Sequence, residues 1–316
     1  MTPSFLVMAA GVFLAGAAMG AVGGALATLG AHAWTKKLTP RSQAGFWMLV
    51  AAAPWVAGLA ALVATMLPSF GLAADHCLVH GSHHPHLCLH HPQALSVPAL
   101  ILVVIGVVRI ALVSTREART AWRTHQTVAT LDSSATECGD IRVLPGTLPA
   151  AFVVGINRTN IYVSRATMDL PEQLRKSVLA HERCHVKERH LLLRLLVRLL
   201  GSLQLPSLAR QLDLHLAAAQ ELQADESAAS AVGDRLLVAE CLLELARARV
   251  GAPRGALAFT DGGVGARVLA LSDASDDRKS WPVAITAAIT LLAVGAAVTS
   301  PSVVHHAFES ILGWLH

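Results

Sequence analysis

His181-Glu182-Arg183-Cys184-His185 has the spacing of a metal site, and Glu221-Leu222-Gln223-Ala224-Asp225 follows it downstream. On a helix, residues four apart share a face, so His181 and His185 can present two imidazoles to one cation. Glu182 stands beside them, where a carboxylate can take a proton from water. A catalytic zinc ion takes three protein ligands and leaves a fourth position open. Glu221 is the best third candidate, and Asp225, one helical turn on, can bond the far nitrogen of a ligand imidazole and fix its tautomer. Glu188 and Glu226 are weaker candidates: Glu188 lies beyond His185 on the same helix, and Glu226 points about 100° away from Asp225. The chemistry expected is hydrolysis of a peptide bond with one zinc ion per chain. Glu182 serves as general base and then passes the proton to the leaving amine.

These side chains need elements to hold them. Asp169 and Glu172, with Pro171 between them, have the form of a capping box. The helix it predicts carries Leu174, Val178, His181 and His185 at spacings of three and four. Further helices are expected over Ala209–Val232 and Asp234–Val250. Ahead of the motif, Ile141–Leu144, Ala151–Ile156 and Asn160–Ser164 read as strands, the last two joined by a turn at residues 156–159. Leu191–Leu205 is very apolar but broken by Arg194 and Arg198, and reads as an amphipathic segment lying on a membrane or on the domain.

The rest of the chain is apolar: 53% hydrophobic, 15% charged, mean hydropathy +0.52 over 316 residues. That balance excludes an ordinary soluble enzyme and suits a multi-span membrane protein with one polar domain. Four spans are expected, roughly Phe5–Gly30, Ala44–Leu67, Val97–Val113 and Trp281–Val303, each near the ~20 residues that cross the hydrocarbon core. The first is too long for a signal peptide, and its Gly16, Gly20 and Gly24 suit close helix packing. A short charged helix, Arg116–Val128, is expected to leave the membrane after the third. Lys36, Lys37 and Arg41 follow the first span, Arg116, Arg119 and Arg123 the third, and Arg278 and Lys279 precede the fourth, whereas residues 68–98 carry no Lys or Arg. The positive-inside rule then puts the N-terminus outside and residues 114–280 in the cytoplasm, in the cytoplasmic (inner) membrane. The net charge of +4 belongs mostly to these flanks and calls for no nucleic-acid partner.

Ala150–Gly155, Asn160–Ser164, Val178–His185 and Glu221–Asp225 together resemble the gluzincin membrane peptidases. Three spans before a cytoplasmic zinc domain, one after it, and Gly265-Ala266-Arg267-Val268-Leu269 ahead of the last span resemble the β-lactam sensor-transducer (antirepressor) peptidases most. The likeness covers roughly residues 110–304. It implies zinc on His181, His185 and Glu221, with Glu182 catalytic. It also implies that Ala151, Phe152, Val153, Val154 and Gly155, or a neighbouring strand, form an edge that pairs with an extended substrate. The sensor-transducers carry a penicillin-binding domain after the last span. Here Val304–His316 is expected to be the whole outer tail, which gives no support to sensing by acylation. Stress-response proteases of the same clan place two further spans between the His motif and the third ligand, where this chain offers only Leu191–Leu205.

The fold expected is therefore a mainly α membrane protein. Four transmembrane helices carry an α+β, zincin-like (gluzincin) peptidase domain between the third and fourth: residues 1–113 form a three-span region, 114–280 the domain, and 281–316 the last span and tail. The outer loop at 68–96 holds seven of the 16 histidines, His76, His80, His83, His84, His86, His90 and His91. Such density offers metal binding or a response to falling pH, or simply a polar loop. Cys77 and Cys88, in the same loop, are placed where a disulfide is permitted; Cys138, Cys184 and Cys241 should be reduced. The function expected is endoproteolysis of a cytoplasmic or membrane-proximal protein in regulatory signalling, a transcriptional repressor or the chain itself being candidate substrates. Quality-control proteolysis and non-catalytic metal or pH sensing are the alternatives.

Overall fold

The computed structural model describes residues 3–67, 70, 97–156, 159–249, 263–273 and 279–280. The chain opens with α1 (Pro3–Thr35), α2 (Pro40–Met66) and α3 (Val97–Ser134). These three helices are long and apolar enough to cross a membrane. Thr39 starts α2 by accepting the Ser42 N–H, with Pro40 in the first turn where a missing donor costs nothing. Small residues let α1 and α2 approach: a methyl added at Gly16 would lie 2.6 Å from Ala61 Cβ, and one at Gly20 2.6 Å from the Ala53 carbonyl. The third helix differs from expectation. No Pro or Gly separates its apolar half from the charged stretch, so α3 runs unbroken past Val113 and Arg116 to Ser134.

The largest departure concerns Leu191–Leu205. This segment does not lie flat; α6 (His190–Leu200) and a 3-10 turn (Gly201–Leu203) lead into α7 (Pro206–Val232), forming a helical hairpin whose tip enters the bundle of α1, α2 and α3. Three hydrogen bonds fasten the tip. Trp55 Nε1 donates to Leu200 O (2.9 Å), Arg109 Nη2 to Gln204 O (2.7 Å), and Gln204 Nε2 to Val50 O (3.0 Å). Val50 O is the carbonyl that Pro54, lacking an N–H, leaves without its helical partner. Gly24 makes the space, since a methyl there would meet Gln204 Nε2 at 3.1 Å. Two arginines oppose a lone span, but here their carboxylates come with the fold. Arg194 pairs with Asp213 of α7 (3.3 Å) and Arg198 with Glu117 of α3 (2.9 Å). One apolar core then joins bundle and hairpin, with Trp47, Val50 and Ala51 packed against Val197, Leu212 and Leu216.

Gln204→Leu should lower stability by about 1–3 kcal/mol, read as a drop in melting temperature of the detergent-solubilised protein. The loss should shrink in a Pro54→Ala background, where the helix supplies its own N–H to Val50 O.

The sheet has order β1-β2-β4-β3. β2 (Ile141–Leu144) pairs parallel with β4 (Asn160–Ser164), and β3 (Ala151–Val154) pairs antiparallel with β4 as an edge strand. The other edge, β1 (Thr136–Cys138), is exposed along its length and gives no alternating pattern to read. The capping box does not form. Asp169 instead ends a short helix, α4 (Arg165–Met168), and α5 (Glu172–Lys187) begins after Pro171 with no side-chain cap. α5 packs on the sheet through Val178, against Ile141, Ala151, Ile161 and Val163. α8 (Arg235–Arg249) and α9 (Val264–Ser272) complete the described chain. Beyond them, Lys279 N donates to Lys37 O (2.9 Å), and Lys279 O accepts from Thr39 N (3.1 Å). The residue ahead of the expected fourth span thus sits at the basic end of the bundle, beside the first loop. That span, the histidines of the 68–96 loop, Cys77 and Cys88 lie outside the described residues.

Candidate metal centre

α5 and α7 pack side by side, and each delivers part of one cluster. His181 and His185, one turn apart on α5, bring their Nε2 atoms to 3.1 Å. From α7, Glu221 sets Oε2 3.5 Å from His181 Nε2 and Oε1 3.7 Å from His185 Nε2. Three ligands on a tetrahedral ion at zinc distances stand ~3.3 Å from one another. The observed separations, with one Glu221 oxygen toward each imidazole, are close to that spacing. Among the described residues, this is the one group of His, Cys, Asp or Glu side chains placed to share an ion. Glu188, at the C-cap of α5, and Glu226 are not part of it.

Neighbouring groups orient these candidate ligands. His181 Nδ1 donates to Asp225 Oδ1 at 3.0 Å, leaving Nε2 for the ion. Asp225, 1% exposed, is held in turn by Arg267 of α9 through two bonds, Nε to Oδ2 (2.7 Å) and Nη2 to Oδ1 (2.6 Å). Arg267 Nη1 also lies 2.9 Å from Glu221 Oε2, as an ion pair outside hydrogen-bond geometry; that buried oxygen has no hydrogen-bond donor. A buried carboxylate oxygen without a donor, facing two imidazole nitrogens, is what a cation would satisfy.

The charges follow from these contacts. Burial opposes charge on His181, yet the hydrogen bond to Asp225 and the adjacent Glu221 carboxylate outweigh it and raise the ring to about 9. Burial, then the neighbouring His181 charge, lowers His185 to about 3, so it is neutral. Glu221 is also penalised by burial, but His181 and Arg267 hold it below the usual carboxylate range. His181 therefore carries a proton at neutrality in the metal-free protein, and a metal ion bound through Nε2 would have to displace it. Its raised value makes the metal-free fold more stable at and below pH 6.5, a contribution lost as pH rises through about 9. Apparent zinc affinity has the opposite trend: it should rise about tenfold per pH unit toward 9 and level off above, checked by chelator competition across pH.

Glu182, 6% exposed, faces a cavity of about 120 Å³ whose walls include Val178, His181, Val238, Leu242 and Arg267. Ala151, at the start of edge strand β3, borders the same cavity. Phe152, Val153 and Val154 continue that strand, and Gly155 ends it with a positive φ of 104°. The structure thus brings together the candidate base Glu182, the three ligand candidates, Asp225 and one end of the strand. Sequence reasoning gave no role to Arg267, which is remote in the chain and was noticed only within Gly265–Leu269. It also passed over His190, set off from the α5 spacing by the turn at Arg189. No periodic signal marks either.

The model of peptidase family M48 matches residues 115–275, from the middle of α3 to just past α9. Neither the curated proteins nor the solved structures give a match. The matched region contains the His-Glu-x-x-His helix, the Glu221–Asp225 stretch and Arg267, and it covers half of the chain. Chemistry, geometry and family model agree that this chain belongs to peptidase family M48, with three helices long and apolar enough to hold it in a membrane.

Proposed function

We propose that this chain is a membrane-embedded, zinc-dependent endopeptidase that cuts membrane-proximal segments of protein substrates on the side of the bilayer where Lys37 and Lys279 lie. The height of the metal centre along the bundle carries this reading. His215 of α7 stacks on Trp47 of α2 with ring centroids 4.4 Å apart. Trp47 stands about 10 Å from the basic end of α2, and Glu221 lies about 9 Å beyond His215 toward that same end. The ligands are therefore level with the start of α2, at the membrane boundary. A peptide bond has to come to that boundary to be cut.

His181, His185 and Glu221 would hold the zinc, which when bound polarises a carbonyl and acidifies a water. Glu182 takes the proton and returns it to the leaving amine. Residues Ala151–Gly155, on a strand that is an edge among the described residues, can align an extended substrate by main-chain hydrogen bonds. Asp225 and Arg267 keep His181 and Glu221 aimed. Positive flanks support a cytoplasmic active site in the inner membrane.

A regulatory substrate, such as a repressor or the chain itself, draws support from the likeness to the sensor-transducers. Quality control draws support from the boundary position alone. Profiling new N-termini in membranes from wild-type and Glu182→Gln cells separates them: one product indicates signalling, many indicate quality control. New termini confined to segments far from any span would contradict the proposed substrate class.

A further inference from the structure

Each candidate histidine ligand has a second ring nitrogen that needs a partner, and the two are served differently. Asp225 serves His181. Among the described residues, no carboxylate bonds His185 Nδ1. Its Nδ1 instead lies 2.7 Å from Nδ1 of His190, the first residue of α6, with the two rings nearly perpendicular at 75°. We infer that His190 is a positioning residue for the metal centre: it accepts the Nδ1 proton of His185 and so leaves His185 Nε2 bare toward the ion.

Proton counting supports the direction. Two nitrogens 2.7 Å apart share one proton. A neutral imidazole that binds metal through Nε2 has its own proton on Nδ1, so His185 must be the donor and His190 Nδ1 the acceptor. His190 then carries its proton on Nε2. The backbone is arranged for this contact. Arg189 is the only non-glycine residue with positive φ among the described residues, at 53°. That left-handed conformation costs about 1–2 kcal/mol. It turns the chain from α5 straight into α6 and tucks His190 back beneath His185, where it is 2% exposed. From α7, Gln220 Nε2 bonds the His190 carbonyl at 3.2 Å, one residue before Glu221. A merely space-filling side chain does not need the strained turn. The inference rests on the metal-centre reading above.

Two substitutions divide hydrogen bonding from packing. His190→Asn keeps an acceptor, Oδ1, where the ring has Nδ1, but fills less space. His190→Phe keeps an aromatic ring and removes the acceptor. Zinc affinity of the full-length protein in nanodiscs, measured by chelator competition with zinc alone, should fall 10- to 100-fold for His190→Phe. For His190→Asn it should stay within about threefold of wild type. Equal losses, no loss, or the reverse order would overturn the inference. If either variant fails to fold, ¹⁵N shifts of the zinc-loaded wild type decide. Protons on His185 Nδ1 and His190 Nε2 are expected, and a proton on His190 Nδ1 would overturn the assignment. A wild type that binds no zinc would overturn the metal centre itself, whereas a zinc-binding wild type with an unaffected Phe variant removes only His190.

Discussion

Glu182→Gln should retain zinc at wild-type affinity and lose proteolysis by about 10²- to 10⁴-fold, the span that general acid–base groups supply. The change removes the carboxylate without touching His181, His185 or Glu221. An amide cannot take the proton, yet it matches the buried side chain in shape, so the melting temperature should barely move. Zinc content by atomic absorption and cleavage in nanodiscs are the two readings. Activity within a few-fold of wild type would show that another group takes the proton.

Asp225→Ala should be the most disruptive single change in the centre. Asp225 answers both the His181 Nδ1–H and the Arg267 guanidinium, and it is almost fully buried. Its removal leaves Arg267, with a side chain only 11% exposed, holding a charge answered by Glu221 and, without an ion pair, by Glu182. Breaking a buried pair on one side costs about 3–5 kcal/mol. Loss of the carboxylate that orients His181 should also cost 10- to 100-fold in zinc affinity. The two effects separate in the double variant Asp225→Ala/Arg267→Leu. Removing the unpaired charge should restore much of the melting temperature but none of the affinity. A double variant no more stable than Asp225→Ala would mean that Arg267 finds other partners.

What the sequence made legible follows from which interactions are local. His181 and His185 are one helical turn apart, and Glu221 and Asp225 lie on a second helix with a similar short spacing, so residue types alone suggested the cluster. Apolar length gave the three helices long enough to cross a membrane, and glycines four apart gave the α1–α2 contact. The parts that escaped depend on distant partners. Arg194 and Arg198 argued against burial because Asp213 and Glu117, which neutralise them, are brought close only by folding. Gln204 reads as an ordinary polar residue until Pro54 is seen to strip Val50 O of its donor. Asp169 looked like a helix start but had already been used to end α4. Arg267 reaches Asp225 from across 42 residues. The expected fourth span and the histidines of the 68–96 loop lie outside the described residues.

The central claim is that His181, His185 and Glu221 bind one zinc ion beside Glu182. Zinc-edge X-ray absorption on the purified full-length protein, compared with Glu221→Ala, tests it most directly. The account predicts one zinc per chain, with two imidazole nitrogens at about 2.0–2.1 Å, light oxygen ligands, and no sulfur. In Glu221→Ala that zinc should be lost or weakly held. Sulfur scattering at about 2.3 Å, or a zinc environment unchanged by Glu221→Ala, would contradict it.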